Sequence, residues 1–208
     1  MLSKSIAIFI AIFIVFKIYF ATLTFSNLTL WNLLWYCNLA WLILAFGIYT
    51  NNEALLTLVL VTATSEIAWY VELFAIIFNL DYNLTLLDYL LEDRNWMVVI
   101  NDWMSFVVHT LLFPVAFYYV KSVGFDKQAL YKILLFAVSL LAVSFFLSTS
   151  VNTGVYLNCV TTQANCGLFD GTSSDLSHLF LVSVSVIAWI VFFFFLLKRL
   201  FKSKWLKN

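Results

Sequence analysis

The chain has 208 residues, of which 64% are hydrophobic and only 11% charged, with a mean hydropathy of +0.99; an ordinary soluble domain carries more than twice that charged fraction. Eleven basic residues balance eleven acidic ones, so net charge gives no reason to expect nucleic acid as a partner. One proline and five glycines are too few for turn-rich β structure, and the apolar runs lack the in-out alternation of membrane strands.

Composition therefore predicts an all-α integral membrane bundle, with residues 1–208 as one domain. Apolar windows long enough to cross roughly 30 Å of hydrocarbon fall at about 5–24, 30–49, 54–79, 97–121, 130–149 and 177–197. Six helices are expected. Backbone groups in lipid must be satisfied within each segment, which outweighs the strand preference of the many Phe, Ile and Val residues.

In the first window Lys4 precedes "IAIFIAIFIVF", as in a secretory signal. The run continues past Lys17 without a small-x-small cleavage site, so it is read as a span. The second window places Cys37 and Asn38 near its centre and Asn32 toward one end. The third places Glu66 at its centre and Glu72 nearer its end, followed by the acidic loop "DYNLTLLDYLLEDRN".

The fourth window carries Asp102, Ser105 and His109 at 3,4 spacing, on one helical stripe. Thr62, Ser65, Trp69 and Glu72 form a similar stripe on the third, with Glu66 displaced from it by about 100°. A basic loop with Lys121, Lys127 and Lys132 precedes window five. Lys198, Arg199, Lys202, Lys204 and Lys207 follow window six. With six crossings and Lys4, nine basic residues share one side, so both termini are expected in the cytosol.

The loop between windows five and six, "YLNCVTTQANCGLFDG", then lies outside, where thiols are normally oxidised. A local Cys159–Cys166 disulfide is expected, with Cα atoms within about 7 Å. Two free surface thiols, or half of a metal site with His178 nearby, are the alternatives. Asn27 and Asn83 begin Asn-x-Thr sequons in loops on the same side. No Cys and His set completes a metal site, and dinucleotide and phosphate-loop motifs are absent, so no metal or cofactor is expected.

Counting depth at 1.5 Å per residue, Cys37, Asn38, Glu66 and His109 share the middle layer, and Asn32, Glu72 and Asp102 share one roughly 9–11 Å farther out. Lys17 is the cation within reach of these acids. A charge at the bilayer centre costs at least ~2.5–3.5 kcal/mol, so these groups are expected either to pair or to line a hydrated cavity. An inter-helix bond that merely holds the bundle together, at about 0.6 kcal/mol, is the plainer account of any one of them.

The segments "LWYCNLAWLILAFGIYT", "SEIAWYVELF" and "SFVVHTLLFPVAFYYVKSVGFDKQAL" resemble a group of small bacterial multi-pass proteins with W-[FY]-C-[DN]-x-A and W-x-x-[DE] runs and an F-x-x-H-x-x-x-P-like run followed by G-[FY]-D. That resemblance covers roughly residues 31–155 and implies the bacterial inner membrane. "HTLLFPVAFYY" is also similar to the His-bearing helix of the androgen-induced family of six-span membrane hydrolases. Those enzymes cleave fatty acid esters of hydroxy fatty acids with an intramembrane Thr nucleophile and a His base. The similarity implies His109 as base, with Cys37 of "YCNL" near the place of the family's Thr.

Three functions fit these residues. The first is an intramembrane lipid acyl hydrolase or transferase, with Cys37 as nucleophile, His109 as base, Glu66 orienting the ring and Asn38 binding the oxyanion. The second is a proton- or cation-coupled carrier using Glu66, Glu72, Asp102 and His109. The third is a scaffold with a buried polar network. Membrane lipids are the expected partners, and a lipid ester the substrate of the first.

The charge bias predicts that a tag placed after Asn208 is labelled only once the cell is permeabilised. Labelling in intact cells would reverse the orientation.

Overall fold

The computed structural model describes residues 2–25, 34–78, 96–150, 158, 160–162, 172 and 174–202. Among them the chain is helical, without strands. The helices are α1 (Leu2–Phe25), α2 (Tyr36–Thr50), α3 (Glu53–Thr62), α4 (Ile67–Ile77), α5 (Trp96–Val123), α6 (Leu130–Ser150) and α7 (Asp175–Leu200), with a 3-10 turn at Ala63–Glu66 joining α3 to α4.

Four helical stretches are long and apolar enough to cross a membrane: Ser3–Ala21, Trp96–Val123, Leu130–Ser150 and Asp175–Leu200. They are consistent with an integral membrane protein. Among the described residues of the windows expected at 30–49 and 54–79, no single helix is that long. The helix within the second has 15 residues, short of the roughly 20 that span hydrocarbon, and the third is divided by the 3-10 turn.

The division has a local cause. Thr62 Oγ1 donates to the Leu58 carbonyl at 2.7 Å, Thr64 Oγ1 to Val61 at 2.6 Å and Ser65 Oγ to Thr62 at 2.9 Å. Hydroxyls bonded back to carbonyls three and four residues earlier compete with the helical ladder and tighten it.

The shorter segments are the inner ones. Leu56 through Thr62 are all buried, so α3 has no outward face over that stretch; a helix apolar all round belongs inside a bundle. Helices α2, α5, α6 and α7 pack around it, while α1 lies along α2. Ile14, Leu44, Ile48, Leu56, Val59, Leu112, Ile133 and Phe194 fill the common core. The outside is also apolar: Phe9 is 68% exposed, Phe180 66% and Phe192 62%. Such a surface suits lipid rather than water.

Two asparagines make the tight α2–α3 connection. Asn51 takes the left-handed conformation (φ 52°), and the Asn52 N–H returns to the Gly47 carbonyl at 2.9 Å, closing α2. The Asn52 side chain then caps α3 by accepting from Leu55 N–H at 3.1 Å. At this end of the bundle Lys4 Nζ lies 5.1 Å from the Tyr49 ring centroid, Thr57 Oγ1 accepts from Asp126 N–H, and Lys198 Nζ donates to the Lys127 carbonyl. The described basic segments therefore gather at one end.

Helix α5 runs through Pro114. Proline has no N–H for the carbonyl four residues back and crowds it. That carbonyl belongs to Thr110, and the Tyr70 hydroxyl of α4 donates to it. Tyr70→Phe is expected to destabilise the protein by about 1 kcal/mol, and the loss should vanish in a Pro114→Ala background, where residue 114 regains its N–H. Thermal unfolding of the four variants in detergent reads this cycle; equal losses in both backgrounds would refute the pairing.

Candidate functional site

From the basic end, Lys17 counted from Lys4, Cys37 from Tyr49, Glu66 from Glu53 and His109 from Lys121 each lie roughly 18–20 Å along their helices at 1.5 Å per residue. Equal depth on packed helices brings them together. His109 Nδ1 and Glu66 Oε2 are 2.7 Å apart, joining the centre of α5 to the end of the 3-10 turn. The Cys37 thiol, in the first turn of α2, lies within hydrogen-bonding reach of the His109 ring. Cys37 and Glu66 are buried, and the His109 side chain is 18% exposed.

Beside this row, Lys17 Nζ of α1 donates to Asn38 Oδ1 at 3.1 Å. Lys17 is buried and within electrostatic range of both Cys37 and Asp102. Burial of an ammonium in an apolar bundle is tolerable only with such partners.

The surrounding polar contacts fix the backbones that carry the site. Tyr36 donates from its hydroxyl to Thr62 Oγ1 at 2.5 Å, linking the residue before Cys37 to the turn that carries Glu66. Trp41 Nε1 donates to the Val108 carbonyl, next to His109, at 2.9 Å. Trp189 Nε1 of α7 donates to Thr64 Oγ1 at 2.9 Å. Both indole N–H groups thus brace the backbone around the site.

Of the residues singled out from the sequence, Cys37, Glu66 and His109 come into contact, with Lys17 and Asn38 beside them. Asp102 is buried two turns before His109, and half-buried Ser105 lies one turn before it. Glu72 belongs to α4, but its side chain lies outside the described residues, as do Asn32, Cys159, Cys166, Asn27 and Asn83. The expected disulfide and the outer polar layer fall largely on those positions. A depression of about 420 Å³, lined by Ala11, Ile12, Val15, Phe16 and Tyr19, lies on α1 and includes none of the candidate residues.

One expectation changes. The stripe Thr62, Ser65, Trp69, Glu72 assumed a continuous α-helix, yet Ser65 is exposed and Glu66 buried. A 3-10 turn advances 120° per residue instead of 100°, so four residues rotate the chain by roughly 80° more and turn Glu66 inward. The hydroxyl cluster "TATSE" was the available signal for that turn. The contributions of Tyr36 and Tyr70 left no such mark.

No protein-family model matches the chain, and no curated protein or solved structure matches it.

Removing one member of the Glu66–His109 pair leaves the other buried without it, at about 1–3 kcal/mol. Glu66→Leu and His109→Leu should each destabilise by that amount, and the double variant by less than their sum. Strict additivity in thermal unfolding would show that the contact contributes nothing.

Proposed function

We propose that this chain is a six-crossing integral membrane protein with cytosolic termini, and that Cys37, His109 and Glu66 form the reactive centre of a lipid acyl hydrolase or transferase. The observation that carries the reading is the row of thiol, imidazole and carboxyl, each in hydrogen-bonding reach of the next. Nucleophile, base and orienting acid in that order define an activated nucleophile on many unrelated folds. The gathering of basic segments at one end supports the orientation, and the similarity of "HTLLFPVAFYY" to the androgen-induced hydrolases supports lipid esters as substrate. The resemblance of residues 31–155 to small bacterial multi-pass proteins supports the bacterial inner membrane as the location.

In this reading Glu66 accepts from Nδ1–H of His109, which leaves Nε2 as the basic nitrogen. His109 takes the thiol proton as Cys37 Sγ attacks the ester carbon and the carbonyl electrons move to oxygen. Collapse expels the alcohol, which receives that proton, and leaves an acyl thioester on Cys37. Water or a second alcohol, deprotonated by His109, then attacks the thioester; the acid or new ester departs and the thiol is restored. Lys17 holds the Asn38 amide by its oxygen, a positioning that suits Asn38 as a donor to the transient oxyanion.

A lipid-ester screen on purified protein tests the reading. Cys37→Ala and His109→Ala should each lower kcat by about three orders of magnitude, with Glu66→Gln losing on the order of 10²-fold. Activity retained in Cys37→Ala removes the thiol mechanism. The charged neighbours Lys17 and Asp102 favour one second reading, a proton-coupled carrier, and pH-dependent ion flux in proteoliposomes that disappears in Glu66→Gln would establish it instead.

A further inference from the structure

Helix α2 begins poorly on its own account. Its N-cap is Trp35, whose side chain makes no capping bond, and tryptophan has no oxygen with which to accept one of the first helical N–H groups. The missing acceptor comes from a distant part of the chain. Asn158 Oδ1 accepts from Tyr36 N–H at 2.9 Å, and Asn158 Nδ2 donates to the Leu34 carbonyl at 3.0 Å. One side-chain amide thus holds the backbone on both sides of Trp35, as a neighbouring strand would.

Asn158 is itself held. Its Nδ2 also donates to Ser144 Oγ of α6 at 2.8 Å, and its backbone is left-handed, with φ 50°, a conformation asparagine accepts more readily than most residues. Just beyond it Val160 is buried against Leu141 and Val182. The Thr162 N–H and hydroxyl both donate to Asp175 Oδ1, at 2.9 and 2.6 Å, at the start of α7. The stretch is anchored to α6 and α7 at one side and to α2 at the other.

We propose that Asn158 is a positioning residue for the Cys37 centre, capping in trans the helix turn that carries the thiol. The inference rests on the reading of Cys37 as nucleophile. Tyr36 is the immediate neighbour of Cys37, so the bond to its N–H fixes the thiol against His109, while the Tyr36 hydroxyl ties the same turn to Thr62. Without Asn158 the first turn of α2 has lost its cap and frays; the thiol then leaves His109 and becomes accessible.

Two measurements on the full chain test this. In Asn158→Ala, kcat for a lipid ester should fall at least tenfold with KM within threefold of wild type. N-ethylmaleimide alkylation of Cys37, read by peptide mapping well below the melting midpoint, should become at least fivefold faster. Ser144→Ala, which keeps both bonds flanking Trp35, should stay within twofold on both counts. The proposal is overturned if Asn158→Ala stays within twofold on both counts, or if Ser144→Ala loses as much. Should the wild type turn over no ester, the acyl-transfer reading fails by itself, and the alkylation rates still decide whether Asn158 holds the Cys37 turn.

Discussion

The Glu66 carboxyl and the His109 ring are 2.7 Å apart inside a bundle whose helices pack mainly through apolar side chains. Neither group suits that surrounding alone, because a buried polar group without a partner forfeits its hydration and gains nothing in return. Their pairing dictates the architecture around it. Helix α5 must present His109 inward at mid-length, and the chain entering α4 must turn so that Glu66 meets it. The 3-10 turn does the second, and its residues Ala63, Thr64 and Glu66 are buried inside the protein.

The same rule repeats at each weak point of the helices. The carbonyl that Pro114 leaves behind receives the Tyr70 hydroxyl, and the uncapped start of α2 receives the Asn158 amide. Hydroxyls in the turn before Glu66 bond backwards within their own segment, while Tyr36 and Trp189 reach them from other helices. Packing of Leu, Ile and Val around α3 sets how closely the helices approach. Polar contacts then set which residues face one another.

Much of this was legible in the sequence. Hydropathy and the scarcity of charge suffice for a helical chain with helices long and apolar enough to cross a membrane, and counting residues along the helices placed Cys37, Glu66 and His109 in one layer, since an α-helix rises by the same amount per residue. The rotational reading was weaker. A helical wheel assumes 100° per residue, and the tightened turn at 63–66 invalidates it for Glu66 and Ser65. Span counting is blurred for a related reason: apolar content does not separate burial in protein from exposure to lipid, and Leu56–Thr62 of α3 are buried in protein. Asn158 could not be found at all, because its three partners lie 14 to 124 residues away and no periodicity links them.

That enclosure of α3 sets an order of assembly. Of the helices packed against it, α5, α6 and α7 all follow it in sequence, so when residues 53–62 have been synthesised only α2 among these partners exists. Its threonines and the turn beyond must wait, half covered, until the later helices arrive. The wall around α3 is thus built mostly from later parts of the chain, and the last helix, through Trp189 and Thr64, closes it at the turn.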